Sequence, residues 1–314
     1  MRVLWSVDPF TNDLNIDPGT IDELRDWTEE NDVAIEPVYI YTPKPHAEFL
    51  GSVEVNSRIT EFFIDLMIPT MPATILVNKG PGIKSAAETL EEHAHLCGAS
   101  LILVSSHGRK GIPRMLLGSF SESLLSISSL PLLFLNNHAK KSTHRMETVL
   151  WATDFSRECE IAFDKFLEDS GLLCRRLLLF HDLLMPAELS TYVGQWDSGS
   201  PTPDELLEAQ REWAESVAAG WLVRARMSGL AAKSIISVGF GDIPSCIVEA
   251  AQQNGAGLIA MASHSGAIKT ILLGSQSSEV FRKGELPVWI YGPKACLDVS
   301  TITRRPSSPL ERRL

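Results

Sequence analysis

The chain has 314 residues, 44% hydrophobic and 21% charged, so it can bury real cores and wholesale disorder is excluded; the length is comfortable for two domains. Lys and Arg number 28 against 39 Asp and Glu, a formal net charge of -11. Divided at Met146 the parts carry −6 and −5, so neither is basic and a nucleic-acid groove is disfavoured.

In chain order, short apolar, β-rich runs occupy Arg2–Val7, Ala34–Tyr41, Ala73–Val77, Leu101–Ser105 and Leu132–Leu135. Five more follow at Thr148–Thr153, Arg176–His181, Ser234–Val238, Leu258–Ala262 and Val288–Tyr291. Their hydrophobicity is continuous rather than alternating, which predicts strands covered on both faces, hence a parallel sheet between helices. The clearest helix begins at Thr202-Pro203-Asp204-Glu205. Thr202 caps it, Pro203 suits the first helical position, Glu205 completes a capping box and Gly229 ends it.

The two sets of strands are copies of one another. Val3-Leu4-Trp5-Ser6-Val7-Asp8 returns as Val149-Leu150-Trp151-Ala152-Thr153-Asp154, and Gly98-Ala99-Ser100-Leu101-Ile102 as Gly255-Ala256-Gly257-Leu258-Ile259. Ser106-His107, Leu116-Leu117-Gly118-Ser119 and Leu130-Pro131 return as Ser263-His264, Leu272-Leu273-Gly274-Ser275 and Leu286-Pro287. Five matches in the same order mean a duplicated domain. The expected division is a first α/β domain at 1–138, a linker at 139–146, a second domain at 147–293 and a flexible polar tail at 294–314.

No apolar run approaches the ~18 residues needed to span a bilayer. The N-terminus enters strand-like sequence at once, so no signal peptide is expected. Cys97, Cys159, Cys174, Cys246 and Cys296 are scattered, odd in number and contain no C-x-x-C. Reduced thiols in a cytoplasmic, membrane-free protein are expected.

In an open α/β sheet, ligands bind beyond the carboxyl ends of the strands, where strand order reverses. Two loops of the first copy compete for that place. One follows the first strand and carries Asp8; the other runs from Ser105 to Ser119 and holds Gly108, Arg109, Lys110, Gly111, Arg114 and Gly118. A glycine-punctuated loop leading into a helix exposes backbone N–H groups to an anion, so this is either a phosphate cradle or an ordinary strand–helix loop. Asp8 is equally well a turn carboxylate, and Ser119 and Ser121 fit helix capping.

Ser105-x-x-Gly108, nine residues, then Gly118-Ser119 resembles the G-x-x-G-x9-G-[S/T] nucleotide signature of the universal stress protein family. Thr153-Asp154-Phe155-Ser156, Phe180-His181-Asp182 and the strands opening at Pro131 and Pro287 are similar to further features of that family. The resemblance covers nearly the whole chain outside linker and tail. It implies two tandem Rossmann-like domains (adenine nucleotide alpha hydrolase-like), each a five-stranded parallel sheet with helices on both faces. It also implies an adenine nucleotide, ATP or another, with Mg. Asp8 and Ile40 would lie on the adenine–ribose side, and Ser105, Gly108, Gly118, Ser119 and Ser121 around the phosphates.

The copies depart from the motif in different places. Ser105 stands at its first glycine, adding a Cβ and a hydroxyl near the expected phosphates. In the second copy Ala262 and Ser265 replace both early glycines, eight residues separate Ser265 from Gly274, and the loop keeps one cation, Lys269. Asp154, Ser265, Gly274 and Ser275 are therefore a degenerate second site, and binding is expected to be weak and mainly in the first domain.

Other signals are set aside. Gly80-Pro81-Gly82-Ile83-Lys84-Ser85 lacks the spacer of a P-loop, and no G-x-S-x-G elbow appears. His93 and His95 of His93-Ala94-His95-Leu96-Cys97 sit at i and i+2, which diverge on a helix, so no metal site is expected. No catalytic residue or general base is evident, which leaves slow hydrolysis at most. The alternative function is a nucleotide-free interaction module acting through unknown protein partners. The last strand of each copy is an apolar sheet edge. These edges are expected to meet antiparallel across a pseudo-two-fold axis within one chain, with a further homodimer as an option.

Overall fold

The structure, a computed structural model, describes residues 1–10, 16, 18–43, 51–105, 119–135, 145–169, 174–184, 202–239, 242–263 and 286–297. The first half runs β1 (Arg2–Ser6), α1 (Pro18–Glu30), β2 (Ala34–Tyr41), α2 (Ser52–Asp65), β3 (Thr74–Val77), α3 (Ile83–Leu96), β4 (Leu101–Ser105), α4 (Ser119–Ile127) and β5 (Leu132–Leu135). The second runs β6 (Thr148–Ala152), α5 (Arg157–Asp169), β7 (Arg176–Leu184), α6 (Pro203–Met227), β8 (Ala231–Gly239), α7 (Ile243–Gln253), β9 (Leu258–Ala262) and β10 (Val288–Tyr291). All ten expected strands are present. β7 and β8 run longer than their apolar stretches because they pair at nine positions, from Arg176 against Ala231 to Leu184 against Gly239. Backbone pairing thus carries polar residues such as Asp182 and Lys233 into the ladder.

The strands form one sheet of order β3-β2-β1-β4-β5-β10-β9-β6-β7-β8. Each half is parallel throughout, two tandem Rossmann-like units with helices on both faces. The exception is the centre, where β10 pairs antiparallel with β5: Val288 faces Phe134, Trp289 faces Leu133 and Ile290 faces Leu132. Every residue of these two strands is buried, so the edges left apolar by the sequence cover one another. Proline sits just outside each strand, where its missing N–H costs little. The Pro131 carbonyl accepts from the Ile102 amide and that of Pro287 from the Ile259 amide.

Local signals act as read. The Thr202 hydroxyl accepts from the Glu205 amide at 3.2 Å, and the Thr202 amide donates to Glu205 Oε2 at 2.7 Å, closing the capping box of α6. The repeated glycines Gly98 and Gly255 end α3 and α7 at φ 67 and 69, a left-handed conformation that only glycine adopts freely. All five cysteines are thiols. No helix among the described residues is long and apolar enough to cross a membrane.

One expectation is corrected at the C-terminus. The stretch from Lys294 was expected to be flexible, yet Ala295 and Cys296 are buried and Lys165 Nζ donates to the Ala295 carbonyl. Truncation after Pro293 therefore removes packed residues. Residues 298–314, 136–138 and most of the expected linker (139–144 of 139–146) lie outside the described residues.

Candidate functional site

Strand order reverses beside β1 in the first half and beside β6 in the second. β1 is flanked by β2 and β4, so the chain leaving β1 and the chain leaving β4 emerge side by side. Asp8 follows the first, and its Oδ1 accepts from the Phe10 amide at 3.0 Å. Asp154 does the same after β6, accepting from the Ser156 amide at 2.9 Å. Each carboxylate closes an Asx turn that fixes its loop at the reversal point. In the second half the turn forces Phe155 to φ 57, and its ring packs 4.7 Å from that of His181, whose Nδ1 donates to the Thr153 carbonyl at 2.8 Å.

In the first half the same edge is aromatic. The Phe10 ring lies 5.8 Å from Tyr39 of β2, with the Arg58 guanidinium 5.2 Å over its face. Burial pushes the Tyr39 hydroxyl above its ordinary pKa, and the charge of Asp8 adds to this. Ile40, next along β2, is half-buried and pairs with Leu76 of β3.

The structure changes the reading of Ser105. It is 2% exposed, and its Oγ accepts from Trp5 Nε1 at 2.8 Å. The hydroxyl expected beside a phosphate is engaged with a core indole instead, so the residue replacing the motif glycine directs its added atoms inward. Ser119 is exposed at the start of α4, and Ser121 is buried one step inside it. Gly108 and Gly118 lie outside the described residues, as do Ser265, Gly274 and Ser275.

The residue equivalent to Ile40 is Asp182. Val3 pairs with Ile35 and its repeat Val149 pairs with Leu177, and five residues beyond Ile35 and Leu177 stand Ile40 and Asp182. Both carboxylate oxygens of Asp182 are buried, without a hydrogen bond of good geometry among the described residues. Beside it, burial pushes the Cys246 thiol up to about 11, and the Asp182 charge adds to the effect. A cavity of about 420 Å³ adjoins them, lined by Phe180, Ile235, Ser237, Asp242, Ser245 and Cys246 among others. In the sequence Asp182 stands out only as a carboxylate at the strand-end position where the first copy has a hydrocarbon, Ile40.

The sequence model of the universal stress protein family matches residues 82–136 and 146–292, more than half of the chain. In three dimensions the chain is similar to a universal stress protein from Archaeoglobus fulgidus DSM 4304, with 18% identity, 93% of this chain and 96% of that chain covered, and a TM-score of 0.56. It is also similar to a functionally unknown protein from Pseudomonas aeruginosa PAO1, with 13% identity, 94% and 93% covered, and a TM-score of 0.54. At such identities the likeness shows the fold. No curated protein is detectably similar in sequence. Matched in two successive segments and sharing its fold from end to end with a solved member, the chain belongs to the universal stress protein family, as two copies in tandem.

Proposed function

We propose that the protein is a cytoplasmic stress-response protein that binds an adenine nucleotide, ATP or a relative with Mg, weakly and mainly in its first half. One observation carries this reading: β1 and β4 lie side by side at the strand-order reversal. Asp8 turns the chain at the end of one, and the Gly108-x9-Gly118-Ser119 segment leads from the other into α4. Backbone N–H groups at the start of α4 and the cations Arg109, Lys110 and Arg114 suit a polyphosphate. Ser119 and Ser121 supply hydroxyls there, Ser105 contributes backbone only, and Asp8 and Ile40 border the base and ribose. The second half keeps the turn at Asp154 but has a loop one residue shorter, Ser265 for a motif glycine and fewer cations, so it binds more weakly. No residue is assigned as a general base, and hydrolysis is slow or absent. The proposed domains are 1–138 and 147–293, joined by 139–146.

A second reading, an interaction module that works without nucleotide through protein partners, is favoured by Ser105 at the first glycine position. Calorimetry with ATP on the wild type, Gly118→Val and Gly274→Val separates the two. Binding in the wild type that is abolished by Gly118→Val and nearly unchanged by Gly274→Val supports the nucleotide reading. No heat of binding with any adenine nucleotide, and none co-purifying in native mass spectrometry, supports the second.

A further inference from the structure

Opposite the Asp8 turn, near the start of β2, three side chains with metal-ligating atoms converge. Glu36 is 2% exposed. His93 and Cys97 are one helical turn apart at the end of α3, so both face the same way. One ligand atom from each of Glu36, His93 and Cys97 lies within 4.8 Å of the other two, and His93 Nε2 is 2.9 Å from Glu36 Oε1. His95 points elsewhere, with its Nε2 3.1 Å from Glu91 Oε1 and 2.9 Å from Ser129 Oγ. The divergence of His93 and His95 is therefore real, but the third donor comes from a strand 57 residues away.

We propose that Glu36, His93 and Cys97 form a binding site for a borderline-soft divalent cation of the zinc class. One carboxylate oxygen, one imidazole nitrogen and one thiolate suit zinc or cobalt and disfavour magnesium or calcium, which take all-oxygen sets. The supporting contacts that such a site needs are in place. Arg2 Nε donates to Glu36 Oε2 at 2.9 Å, and its terminal nitrogen reaches the same oxygen at 2.7 Å. Thr74 Oγ1 donates to Glu36 Oε1 at 2.6 Å. These bonds fix the carboxylate plane and leave Oε1 toward His93. Another Arg2 nitrogen donates to the Cys97 carbonyl at 3.4 Å, tying the end of α3 to the same cluster.

The cation would take the position of the hydrogen between His93 and Glu36. Its binding releases the Cys97 thiol proton, and any proton on His93 Nε2, to solvent. The His93 side chain is 19% exposed, so water can reach the site and fill a fourth position. Glu36 and thiolate Cys97 carry two negative charges against the cation and Arg2, so one positive charge remains beside solvent.

The same residues also close an ionic network without metal, and the test separates the two cases. Full-length, reduced, metal-free protein is titrated with Co²⁺. The expected result is saturation near one equivalent, with a thiolate-to-cobalt charge-transfer band and tetrahedral ligand-field bands that Zn²⁺ abolishes by displacement. Cys97→Ser, at a partly exposed helix end, should lose the charge-transfer band, and Cys246→Ser should keep it. His93→Gln should weaken Co²⁺ binding by about tenfold or more. Zn²⁺ should raise the melting temperature of the wild type and not that of Cys97→Ser. A spectrum without charge transfer, a band that survives Cys97→Ser, or an equal Zn²⁺ effect on both proteins overturns the proposal, whether or not His93→Gln folds.

Discussion

The two halves place the same tryptophan on the same strand and treat its N–H differently. Trp5 of β1 donates to Ser105 at the end of β4 at 2.8 Å. Its repeat, Trp151 of β6, has Ala262 at the corresponding end of β9, and its Nε1 is buried without a partner among the described residues. The surroundings differ accordingly. Trp5 meets Phe62 and Phe63 edge-on at 6.3 and 5.0 Å, whereas Trp151 lies among Phe163, Phe166 and Tyr291 at 5.4, 5.0 and 6.1 Å. A small polar residue satisfies the indole N–H in one core, and the other core packs its indole within a larger aromatic cluster. The half that gained the hydroxyl is also the half in which that hydroxyl stands at a motif glycine. Core satisfaction and loop geometry therefore meet at one position, Ser105.

The strongest way to break this contrast is at the seam both halves share. Trp289 is fully buried in β10 opposite Leu133, and Trp289→Ala should lower stability by about 3–5 kcal/mol. Because the seam belongs to both halves, chemical denaturation followed by fluorescence and by circular dichroism should still give coincident transitions. Loss of stability in the second half alone would show that the halves fold independently.

Alkaline pH should sharpen the difference next. In the second half, burial pushes the Cys174 and Cys296 thiols up to about 12. Burial also drives Tyr291 well above its ordinary value, and the charge of Asp169, which accepts from its hydroxyl at 3.0 Å, adds to this. A group raised on folding contributes stability that is complete below its unfolded pKa and disappears as pH climbs through the folded value. For the thiols that window runs from about 8.5 to about 12, with losses of up to about 1.4 kcal/mol per pH unit per group. Thermal unfolding should therefore fall steeply above pH ~9. The Cys174→Ala/Cys296→Ala double variant should show a shallower slope; an unchanged slope would assign the loss to other groups.

The smallest effects come from exchanging the residues that meet the two tryptophans. Ser105→Ala strands the Trp5 N–H and should destabilise by about 1–3 kcal/mol. Ala262→Ser offers Trp151 an acceptor and should stabilise by about 0.5–1.5 kcal/mol. Melting temperatures of the single and double variants test this. Ser105→Ala without loss would mean that the Trp5–Ser105 bond contributes no stability.

The strands were legible because a parallel strand covered on both faces is a contiguous apolar run, as at Leu101–Ser105 and Leu258–Ala262. The start of α6 was legible because a capping box spans only four residues. The seam was legible because an apolar final strand in each copy needs a cover. What escaped depends on contacts distant in sequence: Trp5 with Ser105, 100 residues apart, and Glu36 with His93. The packing of Ala295 and Cys296 was hidden because their polar neighbours set the composition of the segment. Asp182 drew no attention because an isolated carboxylate at a strand end looks like a turn residue until its burial is known.

The antiparallel contact of β5 with β10 has a consequence for how this molecule diverges. In a symmetric homodimer every substitution appears twice, so a change that suits one site is imposed on the other. Here the partner copy is covalently attached and the central edge is permanently occupied. A mutation enters one side of the sheet alone, and the pairing stays one-to-one at any protein concentration. Asp182 against Ile40, Ser105 against Ala262 and a nine-residue loop against an eight-residue one are differences that a symmetric homodimer cannot accumulate.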